Sequence, residues 1–318
     1  MSESLQEGWV EAHAPASVGN VAVGFDLMGH ALAGPGDRVR VRLIDEATVR
    51  VSAITGVLTE LPRDAAQNTA GAALEAIRLK LGLERGFELE IEKGIPLGSG
   101  LGGSGASAAA AVVAANALLD DSLSLEELFS FALAGEAAAT GAACVDNVAP
   151  SLAGGLVFVP PGEPRRLVQI PVPAGLWCAV ARPDMVIETR ATRAALVEPW
   201  GLETIVAQTA RLAGVIAGCH AGDFDLLRRS LEDVLVEPRR AGLVPGFAEA
   251  KEAALAAGAL GMSLSGSGPS VFAWCEGEDS ARETCEVLVR ALGGDEVAGF
   301  VSPVDSPGAK LIDTGAHS

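Results

Sequence analysis

Hydrophobic and polar positions change their spacing several times along this chain, and each change marks an element. Trp9 to Ala14 reads as a first strand, broken by Pro15 into the loop APASVGNVAVGFDLMGHAL, which holds Asn20, Gly24 and Asp26. Val39, Val41 and Leu43 then alternate with Arg38, Arg40 and Arg42, so the arginine side is a solvated sheet face. Pro62 and Asp64 lead into a helix over about 68–81, and Phe87, Leu89 and Ile91 alternate with Glu88, Glu90 and Glu92 as a half-buried strand. Ser124 and Glu127 form a capping box that opens a helix with an apolar stripe of Leu125, Leu128, Phe129, Ala132 and Leu133. The next place on that stripe is Glu136, a carboxylate that is costly to bury unless a cation offsets it. Gly141 ends this helix, and CVDNVAPSLAGGLVFV is expected to pass through a loop into a strand.

From about Arg165 the pattern shifts. Strands near 167–171 and 176–182, helices near 189–197, 202–217 and 247–257, and the turn SLSGSGPSVFAW follow one another without a long linker. A second α+β domain packed closely on the first is expected, with domains over 1–165 and 166–318.

Between strand and helix, residues 93–116 (KGIPLGSGLGGSGASAAAAVVAAN) crowd Gly98, Gly100, Gly102 and Gly103 together with Ser99 and Ser104, ahead of an alanine-rich helix. A glycine loop that opens a helix is an anion site, because unhindered amides and the helix dipole face the same negative charge. A nucleotide phosphate is the expected ligand. The strand before it alternates, unlike the continuously apolar strand of a dinucleotide-binding unit, and no Gly-Lys-Ser/Thr closes a Walker loop. A flexible linker is the other reading, opposed by Pro96 and the alanines that fence the loop.

Composition narrows the function classes. The 318 residues suffice for two cores, and 49% hydrophobic with 20% charged content is that of a folded protein. A net charge of −18 argues against nucleic acid as a partner. Five cysteines without a CxxC suggest neither disulfides nor zinc, and point to a reducing cytoplasm. The start MSESLQEGWVE is unlike a signal peptide, and the longest apolar run, 106–119, is too short to span a bilayer, so no membrane role is expected.

PLGSGLGGSGAS resembles the PxGxGLGSSA phosphate loop of the GHMP small-molecule kinases, with Gly103 and Gly105 departing from it and Ser104 retained. APASVGNVAVGFD, GEAAATGAACVDNVAPSLAGG, TRATR at 189–193, VEPRRAGLVPGF and SGSGPS extend the likeness over nearly the whole chain, toward the homoserine kinases of that superfamily. The resemblance implies an α+β, two-domain GHMP kinase fold: an α/β N-terminal domain with the glycine-rich phosphate loop, then a ferredoxin-like C-terminal domain. It implies ATP-dependent phosphorylation of the L-homoserine hydroxyl in threonine synthesis, with Mg2+, by a cytoplasmic homodimer. A kinase for another small alcohol and a non-catalytic metabolite sensor are the competing readings.

The same resemblance implies the site. Pro96, Leu97, Gly98, Ser99, Gly100, Leu101, Gly102, Gly103, Ser104, Gly105 and Ala106 would form the ATP loop, joined by Gly266 and Gly268 from a third motif that is otherwise a tight turn. Asn68 would read the adenine, or only cap its helix. Ser104 and Glu136 would hold the metal, unless Glu136 is a carboxylate snorkelling from a helix end. Asn20, Asp26, Thr189, Arg193 and Arg240 would hold the acceptor, since a carboxylate suits guanidinium and an ammonium suits Asp. Cys144 stands where the family has a substrate-contacting His. Asp146, with Arg193, is the catalytic candidate, and a loop-capping role is the other reading of Asp146.

Overall fold

Period-two alternation in the first hundred residues builds a mixed sheet from β1 (Val10–Gly19), β2 (Met28–Ile44), β3 (Val49–Gly56) and β4 (Gly86–Lys93), joined by the short β5 (Leu156–Phe158) and β6 (Val168–Ile170). The computed structural model describes residues 8–141, 143–187, 192, 193, 196 and 199–313. β3 and β4 pair in parallel, and every other pairing in this sheet is antiparallel. Pro15 does not end the first strand as expected: β1 runs on to Gly19, and the register shifts between Pro15 and Ser17, the kind of irregularity at which a strand tolerates proline. The arginine face is solvated. Arg38, Arg40 and Arg42 pair with Glu11, Glu90 and Glu88, and Trp9 stacks on the last two guanidiniums.

On the other face lie α1 (Thr69–Leu81), α2 (Gly103–Asn116), α3 (Leu125–Thr140) and α4 (Val145–Ala153). α2 is apolar all round because it is enclosed by the sheet and the other helices, and its alanines let those neighbours approach. Both caps of α3 follow the sequence: the Ser124–Glu127 box opens it and left-handed Gly141 closes it. α4 is a correction, because 145–153 is helical where a loop was expected. Pro150 removes the amide that would bond the carbonyl of Asp146, and that carbonyl abuts β2 so closely that a Cβ on Gly29 would lie 1.8 Å from it.

The second sheet contains β7 (Leu176–Pro183), β8 (Gly261–Leu264), β9 (Val271–Glu276) and β10 (Val297–Pro303), all antiparallel in the order β10-β7-β9-β8. Between β7 and β8 run α5 (Leu202–Ala221), α6 (Phe224–Ser230), α7 (Glu237–Arg240) and α8 (Phe247–Ala256); α9 (Glu278–Leu292) joins β9 to β10. This is the ferredoxin-like arrangement. The helix expected over 189–197 lies outside the described residues except at 192, 193 and 196. Two strands beyond residue 165 belong to the first sheet: β6, and β11 (Lys310–Ile312) on the free edge of β1.

Both faces of the second sheet are buried. Ala179, Ala181, Val271 and Ala273 face α8 and α9, while Cys178, Val180, Phe272 and Trp274 enter the core of the first lobe. His30 sits at that junction. Its Nδ1–H donates to the Ala31 carbonyl, so Nε2 accepts from Trp274 Nε1 at 3.3 Å, and complete burial lowers its pKa to about 4.

α1 and α3 cross at Gly135, where an added Cβ would lie 2.4 Å from the Thr69 carbonyl and 2.7 Å from the Ala73 amide. Alanine gains about 1 kcal/mol of helix propensity there, whereas overpacking a backbone contact costs roughly 1–3 kcal/mol. Gly135→Ala is expected to lower the urea midpoint; an unchanged or higher midpoint would show that the two helices separate freely.

Candidate active site

The glycine loop, 94–102, hangs between β4 and α2 from a buried charge network. Asp37 Oδ1 accepts from the amides of Gly94 and Ile95 at 3.0 and 3.2 Å, and Oδ2 accepts from Ser107 Oγ at 2.6 Å and from the Lys93 ammonium. Lys93 also donates to the Gly103 carbonyl and to Ser107 Oγ, each at 2.8 Å, in the first turns of α2. Gly98, Gly100 and Gly102 take φ of 61°, 78° and 70°, which bends the loop back on itself.

Four consecutive loop carbonyls are engaged outside the loop. Gly98 accepts from Ile187 N, Ser99 from Ser270 N, Gly100 from Ser265 Oγ and Leu101 from Ser17 N, at 2.7–3.4 Å. Three of these donors come from the second lobe, whose 265–270 turn rests on the loop. Gly102 caps α2 without a side-chain acceptor, so the first amides of that helix are left for an anion. Gly100 serves the lobe contact: a Cβ on it would meet the carbonyls of Ser265 and Gly268 at 2.6 and 2.7 Å.

Beside the loop, Ser104 Oγ donates to Glu136 Oε1 at 2.8 Å. Glu136 is 3% exposed, its Oε2 has no hydrogen-bond partner, and burial pushes its pKa up to about 7. An orphaned carboxylate oxygen next to a hydroxyl fits a hard cation. Among the described residues there is no group of three or more His, Cys, Asp or Glu that could hold a metal ion.

A second group of candidate residues is built on a strained loop. Asn20, Val21 and Ala22 take φ of 70°, 44° and 57°, and Asp26 takes 55°. Asn20 holds it closed, accepting from Asp26 N at 3.0 Å and donating to the Gly266 carbonyl at 2.9 Å. Arg193 forks onto Asp26 with two bonds of 2.9 Å. Arg240 is buried, donating among the described residues to the carbonyls of Thr192 and Gly266 at 3.4 Å, and burial beside Arg193 lowers its pKa. Phe25 lies within 5.8 Å of both guanidiniums. Behind them Asp146 is 3% exposed, and burial, with Asp26 nearby, raises its pKa to about 7. Burial and the surrounding carboxylates raise the Cys144 thiol to about 12, so it stays protonated.

One cavity of about 660 Å³ takes in most of these groups: Asn68, Pro96 to Gly100, Gly102 to Ser104 and Glu136 on one side, and Asn20, Asp26, Cys144, Asp146, Arg193, Arg240 and Gly266 on the other. Four expected loop or turn residues do not line it. Leu101 and Ala106 face the core, Gly105 faces Val148 of α4, and Gly268 faces Leu264 and Val244. Asn68 does cap α1, accepting from Ala70 N and Gly71 N. Thr189 lies outside the described residues. Sequence reasoning missed Asp37, Lys93, Ser107, Phe25 and Asn147, and the apolar wall of Leu58, Leu61, Ile95, Val186 and Ile187. Only their convergence in space marks them.

The GHMP kinases N terminal domain family matches residues 68–155, and the GHMP kinases C terminal family matches 215–294. A homoserine kinase of Xanthomonas campestris is 53% identical over 304 residues, 95% of this chain and 93% of that protein. One from Chlorobium phaeobacteroides is 40% identical over 317 residues, 95% of this chain and 99% of its own. The crystal structure of homoserine kinase from Cytophaga hutchinsonii superposes with a TM-score of 0.92 at 40% identity, covering 98% of this chain and 99% of that one. With one cavity joining a glycine loop, the Ser104–Glu136 pair and two guanidiniums, and with relatives of this similarity over 95% of its length, the chain belongs to the homoserine kinase family of GHMP kinases.

Proposed function

We propose that this protein transfers the γ-phosphoryl group of ATP to the side-chain hydroxyl of L-homoserine, giving O-phospho-L-homoserine and ADP. The observation that carries the reading is the cavity of about 660 Å³, which takes in both the uncapped start of α2 and groups suited to a zwitterionic amino acid. Phosphoryl transfer needs charge neutralisation and alignment more than covalent help from the protein.

The amides at the start of α2 bind the phosphates, and the apolar wall of Leu58, Leu61, Ile95 and Val186 receives the base next to Asn68. Ser104 and Glu136 would hold Mg2+, which supplies neutralisation of the nucleotide's charge. Homoserine enters by exchanging ion pairs: its ammonium takes Asp26 from Arg193, and its carboxylate takes the released guanidinium together with Arg240. The exchange is cheap because Asp26 and Arg193 are each about 40% exposed, and pairs so wet contribute at most about 1 kcal/mol. Arg240, by contrast, is a buried cation whose hydrogen bonds among the described residues go to two carbonyls, so an incoming carboxylate relieves it. Asp146 accepts the proton of the hydroxyl, its raised pKa matching a base at neutral pH.

Glu136→Gln is expected to lower turnover a hundredfold or more, about 3 kcal/mol, in saturating magnesium. Stability should move the other way. The folded pKa of Glu136, about 7, lies above its ordinary 4.5, so its contribution is intact below pH 4.5 and is lost as pH rises through 7. At pH 8 without metal, the Gln variant should therefore be more stable, on the order of 3 kcal/mol, by thermal denaturation. Near-normal turnover would remove the metal role.

If Asp146 is the base, kcat should fall tenfold per pH unit below about 7, and Asp146→Asn should lose both that limb and most activity. A full limb in the Asn variant would assign the proton elsewhere. Arg240→Met should raise the homoserine KM by an amount equivalent to roughly 1.5–3 kcal/mol while leaving the ATP KM unmoved. Unchanged homoserine affinity would overturn the carboxylate site.

A further inference from the structure

The Asp37 network lies behind the loop and is needed by none of the steps above, yet its side-chain hydrogen bonds all end on the loop's two roots. Oδ1 fixes the amides where the loop leaves β4, and Oδ2, through Lys93 and Ser107, fixes the carbonyl of Gly103 where the loop enters α2. Gly103 immediately precedes Ser104. Lys93 and Ser107 themselves line the cavity, while Asp37 is wholly buried. A buried ion pair is weak evidence for stability, since an apolar pair of similar volume commonly serves as well or better. What an apolar pair cannot supply is a set of directed hydrogen bonds holding two chain segments in one relative position.

We propose that Asp37 is a positioning residue for ATP: through Lys93 and Ser107 it sets the spacing between the two ends of the phosphate loop, and with it the convergence of the amides on the phosphates. The proposal rests on the reading of this cavity as the ATP site, which turnover of the parent enzyme with ATP and homoserine tests separately.

Asp37→Asn keeps the shape, but its one remaining oxygen can face either the amides of Gly94 and Ile95 or the Lys93 ammonium, and the other side then meets an amide NH2 group. Steady-state kinetics should show the ATP KM raised tenfold or more and the homoserine KM within twofold of the parent. The double variant Asp37→Asn/Lys93→Met removes the unpaired buried cation, so its melting temperature should return toward the parent while the ATP KM stays raised. Recovery of both together would make the pair a scaffold and overturn the proposal. So would equal rises in the two KM values, or no rise in either. Should Asp37→Asn fail to fold, the double variant and Ser107→Ala carry the same test; the latter is expected to raise the ATP KM about threefold alone, and an unchanged value overturns the proposal.

Discussion

A peptide loop carries as many carbonyls as amides, and it binds an anion only if the carbonyls are turned away and satisfied elsewhere. In this protein the carbonyls of Gly98, Ser99, Gly100 and Leu101 accept bonds from Ile187, Ser270, Ser265 and Ser17. Much of the structure follows from that arrangement. The second lobe must reach the loop, its 265–270 turn must sit within van der Waals range of Gly100, and Gly100 can carry no Cβ at the contact. The lobes cannot move apart without unpairing the carbonyls of the loop.

That demand explains why the second sheet is buried on both faces. With β7 and β9 sending alternate side chains into separate cores, the lobes share hydrophobic contacts as well as backbone bonds, and Trp274 adds a bond to His30 at the seam. The Gly266 peptide sits where the halves of the cavity meet: its amide donates to Gly19 and its carbonyl accepts from Asn20 and Arg240. The positive φ of Asn20 to Ala22 is tolerated because these contacts over-determine the loop.

Local chemistry was legible in the sequence where one residue contradicted its surroundings. Glu136 stood out as a carboxylate on an apolar stripe, and it is buried beside Ser104. The glycines announced a loop that opens a helix, although Gly100 turned out to face the other lobe. Asp37 and Lys93 gave no such signal. One follows a Gly-Pro-Gly turn and the other ends an alternating strand, so each reads as solvated, and their pairing across 56 residues is fixed only by sheet register. α4 was hidden by Pro150, whose disruptive effect is absorbed by the fit of Asp146 against Gly29. In α9 the buried face of Ala281, Thr284, Cys285 and Leu288 is masked by charged residues. Asn20, Asp26, Arg193 and Arg240, far apart in the chain, were named only by resemblance, because nothing local brings them to the one cavity they line.

β11 has a consequence for how the chain is made. Lys310 to Ile312 pair with Glu11, Ala12 and His13, so the edge of the first sheet is closed by some of the last described residues. During synthesis the N-terminal strands emerge first, and domains generally fold as they emerge. Until about residue 312 has left the ribosome, β1 presents an open row of amides and carbonyls to any neighbouring strand, including that of another nascent copy. That edge of the nascent sheet therefore stays open to mispairing until β11, about three hundred residues after β1, has been made and docks.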